Sequence, residues 1–256
     1  MPVTYEYPRP AVTVDVVIFT IRAGQLAVLL IRRGKPPFRG LWALPGGFVD
    51  ASESLEHAAA RELHEETALT GMRLEQLGAF GDPARDPRGH TISVAYFAFA
   101  VSAGTRGVRA GDDAVEAEWQ PVAQLGLDDV TAKGALKLAF DHHRILSCAL
   151  ARLRQEVSRL GPTTVVDFAP ARFTLGELQH VYEAVIGQTV DKRNFRARLL
   201  AQKIVQPAAT ERRTGRHRPA QLYHWVMPKE VAAPDPTAKS KSRAPKKSKR
   251  KPKKRR

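Results

Sequence analysis

The sequence predicts an α+β chain in three parts: a mixed β-sheet clasped by helices, then two helices with a basic-tipped hairpin, then a tail without regular structure. Three observations predict it. β-rich runs alternate with one long acidic helix from Val12 to Pro121, and a second set of helix starts and stops follows Gly161-Pro162. Residues 239–256 are built from Lys, Arg, Ser, Pro and one Ala. The order places a sheet-and-helix core first and ends in a segment that cannot bury enough apolar surface to fold.

Residues 1–10 hold three prolines and little pattern, and read as an arm. Val12–Ile21 and Leu26–Ile31 are strands, and the glycine in Arg22-Ala23-Gly24-Gln25 marks the hairpin between them. A loop from Arg32 to Gly40 leads to Leu41-Trp42-Ala43-Leu44 and the pair Gly46-Gly47. An acidic helix follows. Beyond it, Met72–Phe80 reads as a strand, Gly81–His90 as a loop, Thr91–Val101 as a central strand, Ser102–Asp113 as a glycine-rich loop and Val115–Pro121 as another strand.

The acidic helix carries the chemistry. Ser54 has the hydroxyl to cap it, and the helix runs to about Thr67. Leu55, Ala58, Ala59 and Leu63 form its apolar stripe at helical spacing, and Glu62 and Glu66 fall on that same stripe. Carboxylates turned toward a core are costly to desolvate unless a cation or hydrogen-bond donors meet them. With Glu65 beside them, three carboxylates converge from adjacent turns, an oxygen set suited to Mg²⁺ or Mn²⁺.

Read in order, Gly47, five residues, Glu53, seven residues, Arg61-Glu62-Leu63, one residue, Glu65-Glu66, one residue and Ala68-Leu69 resemble the Nudix box almost position for position. The one departure is Ala68, where the family has a glycine that ends the helix with a positive φ; alanine there costs about 1 kcal/mol if that backbone is kept. The resemblance implies an α/β/α sandwich around a mixed sheet. It also implies a metal site of Gly46 (through its carbonyl), Glu62, Glu65 and Glu66, with Glu65, Glu53 and Arg61 serving catalysis and the last two orienting the cluster.

Near the mouth of the sheet, Arg85 and Arg88 on the 82–90 loop and Arg32 and Arg33 at the end of the first hairpin offer guanidinium groups for phosphate. Arg32, Arg85 and Arg88 are the expected substrate-binding residues. The wording RDPRGHTISVAYFAF resembles Nudix proteins that handle ADP-ribose. Asp112, Asp113 and Glu116 offer a further ligand or a base at the late loop.

From Leu136 the apolar positions 136, 139, 143, 146, 150, 153, 157 and 160 alternate steps of three and four. This seam argues for a long helix that joins two domains or pairs with a second copy. His143, with Asp141 and His142, reads as packed helix surface, and Cys148 as a small buried side chain. Gly161-Pro162 ends the helix. Thr174 and Glu177 form a capping box ahead of Leu178, Val181, Tyr182 and Val185, and Gly187 closes that helix. Asp191 caps the next, in which Phe195 and Leu199 face inward. Ile204–Thr210 and Gln221–Val226 are strands around the basic loop ERRTGRHRPA.

Two helices and a basic-tipped hairpin describe a winged helix, whose second helix enters the major groove of double-stranded DNA while the hairpin touches the backbone or the minor groove. Lys192, Arg193, Asn194, Arg196, Arg212, Arg213, Arg216 and Arg218 are the expected DNA contacts, with Arg198 and Lys203 beside them. The phrase FTLGELQHVYEAVIGQTVDKRNFRARLL resembles the C-terminal domain of Nudix-related transcriptional regulators of NAD biosynthesis. The expected division is 1–160, 161–230 and 231–256.

The net charge of +15 is unevenly spread: −1 over residues 1–159, +4 over 160–238 and +12 over 239–256. The tail should therefore add sequence-independent, salt-sensitive affinity for phosphate backbones. No apolar run is long enough to span a membrane and no export leader is evident, so no membrane partner is expected. A single cysteine excludes an intrachain disulfide and fits a reducing cytoplasm. Two functions follow. One is Mg²⁺-dependent hydrolysis of a nucleoside diphosphate derivative such as ADP-ribose. The other is a dimeric DNA-binding regulator that senses the same ligand; its intact acidic positions leave hydrolysis open.

Overall fold

The computed structural model describes residues 7–100, 108, 114–127, 136–161, 165, 168–213 and 220–226. The 231–256 segment, Asp112, Asp113, Arg216 and Arg218 lie outside the described residues.

The sheet is organised on β1 (Ala11–Arg22). Its alternate side chains Val14, Val16 and Ile18 and their neighbours Val17 and Phe19 are all buried, the mark of a strand covered on both faces. A two-residue turn, Ala23-Gly24 with both φ positive, returns the chain as β2 (Gln25–Arg33). β1 pairs antiparallel with β2 at one end and with β4 (Gly46–Phe48) at the other, and runs parallel to β6 (Thr91–Ala100) along its length. β5 (Glu75–Phe80) lies on β6, while β3 (Trp42–Ala43) and β7 (Ala114–Pro121) pair with β2. The result is a mixed seven-stranded sheet. A short 3-10 turn, Val122–Leu125, follows β7.

Helices cover both faces. α1 (Leu55–Thr67) packs Ala58, Ala59 and Leu63 against Val14, Val16, Ile18 and Tyr96. α2 (His142–Leu160) lays Ile145, Leu146, Ala149, Leu150, Leu153 and Val157 against Val17, Phe19, Val28 and Phe97. This second cluster continues without a break through Phe168 and Phe173 into α3 (Leu175–Ile186), α4 (Lys192–Ala201) and the first strand of the hairpin β8 (Val205–Arg213) and β9 (Ala220–Trp225). The α2 face of the sandwich and the winged helix thus share one apolar cluster, while the α1 face packs as a cluster of its own.

Several local expectations need correction. The seam residues Leu146, Leu150, Leu153 and Val157 are buried against the chain's own sheet, so they give no reason for a second copy to cover them. The seam is also helical only from His142: Leu138 bridges to Trp42 and Phe140 takes φ 52°, which delays the helix start. Cys148 is exposed rather than buried, on the outer side of α2. β5 starts at Glu75 instead of Met72, after a turn at Gly71 with φ 69°. Ala68 does hold the left-handed cap of α1, at φ 60°, with its amide donating to the His64 carbonyl.

Candidate functional site

The acidic end of α1 faces β4 across a contact that only glycine allows. A Cβ on Gly46 would lie 2.2 Å from the Val14 carbonyl oxygen, and one on Gly47 would lie 2.3 Å from Glu62 Oε1. The glycine pair therefore lets β4 sit on β1 and lets the Glu62 carboxylate sit on β4. Ser54 starts the helix in register by accepting the His57 amide.

Arg61 binds the cluster together. It grips Glu53 with Nε at 3.1 Å and Nη2 at 2.5 Å, while Nη1 donates to Glu62 at 2.8 Å and Glu65 at 3.2 Å. A further Nη2 bond reaches the Phe48 carbonyl. The Arg61 hydrogen bonds hold Glu53 down at a pKa of about 2, and the same bonds raise Arg61. Glu66 is 8% exposed and accepts the Gly46 amide at 2.8 Å. Burial, reinforced by the charges of Glu62 and Asp15, nonetheless pushes it up to about 8. Burial raises Glu62 as well, against the pull of Arg61. Glu65 is the exposed member.

The expected convergence of three carboxylates is thus only partly assembled. Among the described residues no three acidic, histidine or cysteine side chains already stand together in ligand geometry, and Arg61 holds Glu62 and Glu65. The donor set still fits a divalent cation. It is made of oxygens, and desolvation of Glu62 and Glu66 is the unfavourable condition that such a cation would relieve.

These groups line a cavity of about 510 Å³, within the range that holds nucleotide-sized ligands. Its floor is a buried polar network that the sequence did not reveal. Asp15 on β1 accepts from Ser93 Oγ and from Arg85 Nη2 at 3.3 Å, and Arg85 is also bound to Asp141 at 2.7 Å. His142 accepts the Leu44 amide through Nδ1 at 2.9 Å, so the neutral ring carries its proton on Nε2, 3.3 Å from Asp15 Oδ1. Burial lowers the His142 pKa and keeps the ring neutral. Asp141 and His142 stand at the head of α2, so the network ties the cavity to the helix that leads into the winged helix.

The expected arginines separate. Arg88 lines the cavity, 2.7 Å from Asp86 and stacked 4.9 Å from the centroid of Phe48. Arg85 lines it too, but its side chain is 3% exposed and committed to two aspartates, so a bidentate phosphate grip is not open to it. Arg32 does not line the cavity. Neighbouring strand residues point to opposite faces, and Arg32 turns outward to the Gly40 carbonyl and to Glu116 at 3.7 Å. Its neighbour Arg33 occupies the cavity wall instead. Glu116, so engaged, is not part of the wall. Phe48, Asp86, Phe140 and Thr13 are also part of the lining, with Lys35 and Asp50 among the charged groups around it.

In the second half, the capping box of Thr174 and Glu177 starts α3, and Asp191 caps α4 by accepting the Asn194 amide. Phe195 and Leu199 are buried, which turns Lys192, Arg193, Asn194 and Arg198 outward; Lys203 is exposed just past the helix. Arg196 is half-buried, with its Nε lacking a hydrogen-bond partner in the structure. Arg212 and Arg213 belong to β8, paired with Gln221 and Ala220, and their side chains lie outside the described residues. No described helix is long and apolar enough to cross a membrane.

Residues 9–140 match the NUDIX domain, and residues 165–225 match the NrtR DNA-binding winged helix domain. The chain is similar to the ADPR responsive transcriptional repressor NtrR of Acinetobacter baylyi, 37% identical over 227 residues that span 87% of this chain and 84% of that protein. It is similar to the ADP-ribose pyrophosphatase of Methanocaldococcus jannaschii, 41% identical over 140 residues, 55% of this chain and 73% of that protein. Among solved structures it resembles Shewanella oneidensis NrtR complexed with a 27mer DNA, with a TM-score of 0.69, 35% identity, and coverage of 84% of this chain and 93% of that one.

Proposed function

The chain belongs to the Nudix family and carries the NrtR winged-helix domain behind its Nudix domain, and from that premise we propose that it is an ADP-ribose-responsive, DNA-binding transcriptional repressor, with NAD-related genes as its targets. The observation that carries the reading is the likeness to a repressor described as responsive to ADP-ribose, which runs through both domains of one chain. The cavity supports it, since carboxylates and guanidinium groups share one nucleotide-sized space. The exposed basic residues of α4 support the DNA half: Arg193 and Lys192 stand where a recognition helix would meet phosphate and base edges.

Hydrolysis is a second activity of the same pocket, supported by the intact acidic positions and by the likeness to an ADP-ribose pyrophosphatase. Glu62, Glu65, Glu66 and the Gly46 carbonyl would hold Mg²⁺ or Mn²⁺. When bound, the cation would neutralise diphosphate oxygens and acidify a water. Glu53 fixes Arg61, and Arg61 fixes Glu62 and Glu65 before ligand arrives. Glu65, the exposed carboxylate, takes the proton of the attacking water as the bridging P–O bond breaks, giving AMP and ribose 5-phosphate.

Two measurements test this. In a gel shift of the full chain on DNA from upstream of its own gene, added ADP-ribose is expected to change the fraction bound; an unchanged fraction at saturating ligand defeats the regulator. Incubated with Mg²⁺ and ADP-ribose, wild type should release AMP and Glu66→Gln should not. Equal slow release from both would defeat the hydrolase.

A further inference from the structure

The cavity that holds the carboxylates also holds two guanidinium groups gathered on one ring. Arg33 lies 4.8 Å and Arg88 5.6 Å from the centroid of Phe140. Arg88 has Asp86 as its counter-ion through Nε and Nη2, but unlike Arg85 it is partly exposed and its Nη1 edge is left for a ligand. Arg33 has no counter-ion within ion-pair distance among the described residues; its Nε donates to the Pro37 carbonyl at 2.8 Å, and it is half-buried. Burial, and then the charge of Arg88, lower its pKa against the opposing pull of the carboxylates of Glu66, Asp86 and Asp15, none of which pairs with it directly. Half-burying one guanidinium beside another is unfavourable until an anion joins them.

A second unmet group lies in the same wall. The Thr13 hydroxyl on β1 is buried, lines the cavity and has no hydrogen-bond partner in the structure. Thr13 is paired across the sheet with Phe48, on whose ring Arg88 stacks. A cation without a counter-ion and a donor without an acceptor are completed by one kind of ligand group, a multiply charged anion rich in oxygen.

We propose that Arg33 and Arg88, seated on Phe140, form the diphosphate grip of this pocket, with the Thr13 hydroxyl donating to a ligand oxygen. The assignment rests on the reading of the pocket as a nucleoside diphosphate site and deepens it. Arg33 is the residue that makes the pocket prefer a diphosphate-linked nucleotide to a monophosphate. Phe140 holds the two planar cations at a fixed spacing before the ligand arrives.

Titration calorimetry of the full chain in Mg²⁺ provides the test, with a methylene-bridged, non-hydrolysable ADP-ribose analogue and with AMP. Arg33→Leu should weaken the analogue by about tenfold or more, as expected for a lost charge-assisted hydrogen bond, and collapse its preference over AMP. Arg33→Lys should fall between, keeping charge but losing the planar fork. Arg32→Leu should leave the preference intact. Equal weakening of both ligands, no weakening, or a larger loss from Arg32→Leu overturns the proposal. If Arg33→Leu fails a circular-dichroism check of folding, Arg33→Lys and Arg88→Gln decide the matter by the same ratio. If wild type binds neither nucleotide, the functional reading falls, and the grip is judged with inorganic pyrophosphate. Binding to wild type that Arg33→Leu weakens sustains it, whereas equal binding or none overturns it.

Discussion

Raising the pH of the metal-free protein from about 5 to about 8 should destabilise it, and Glu66→Gln should remove most of that slope. Burial pushes Glu66 from 4.5 up to about 8 in the folded chain. Between those values the folded state keeps a proton that the unfolded state has released, so stability falls as pH rises. The contribution is fully present below 4.5 and is lost as pH passes through about 8. That interval, at 1.36 kcal/mol per unit, sets a ceiling of about 5 kcal/mol. His142 acts with the opposite sign: burial lowers its pKa, so its contribution is present above 6.5 and is lost as pH falls. The difference between wild type and Glu66→Gln cancels it. Urea unfolding in EDTA at several pH values measures both curves. Added Mg²⁺ should restore stability most at high pH, where Glu66 must ionise. A wild-type curve that is flat or rising above pH 6.5, or a Glu66→Gln curve of equal slope, would refute the desolvation argument.

Three further outcomes follow from single contacts. Ala68→Gly should raise stability by up to about 1 kcal/mol, since Ala68 holds φ 60° at a steric cost that glycine does not carry; thermal unfolding reads this. Arg85→Ala should cost about 3–5 kcal/mol in denaturant unfolding, because it leaves Asp15 and Asp141 buried or half-buried without their counter-ion. In a chain lacking residues 239–256, Arg193→Ala should still weaken gel-shift binding and make it less sensitive to salt, whereas binding that disappears with the tail alone would locate DNA affinity outside the winged helix.

The acidic helix was legible because its chemistry is local. A cap, an apolar stripe and carboxylates one turn apart all lie within α1, and the glycine pair precedes it closely. The floor of the cavity was not, because its members are joined only by folding. Asp15 and Arg85 meet from β1 and the 81–90 loop, and Asp141 and His142 arrive from the head of α2. No periodicity marks such a network. The choice between Arg32 and Arg33 failed for a related reason: Leu29, Leu30 and Ile31 are all buried, so β2 shows no alternation from which to read which neighbour faces the pocket. The α2 seam was legible as a stripe at helical spacing that joins the two domains, but a stripe does not say what covers it. Here the chain's own sheet does so, and the apolar cluster under α2 extends from that sheet into the winged helix.

If one ligand governs the other, the coupling must be reciprocal. Calorimetric titration of ADP-ribose into the full chain, alone and saturated with DNA from upstream of its gene, tests this most directly. The ligand's Kd should change on adding DNA by the same factor by which ligand changes the Kd for DNA, about fivefold or more. Identical ADP-ribose affinity with and without DNA would contradict a regulator built on this pocket.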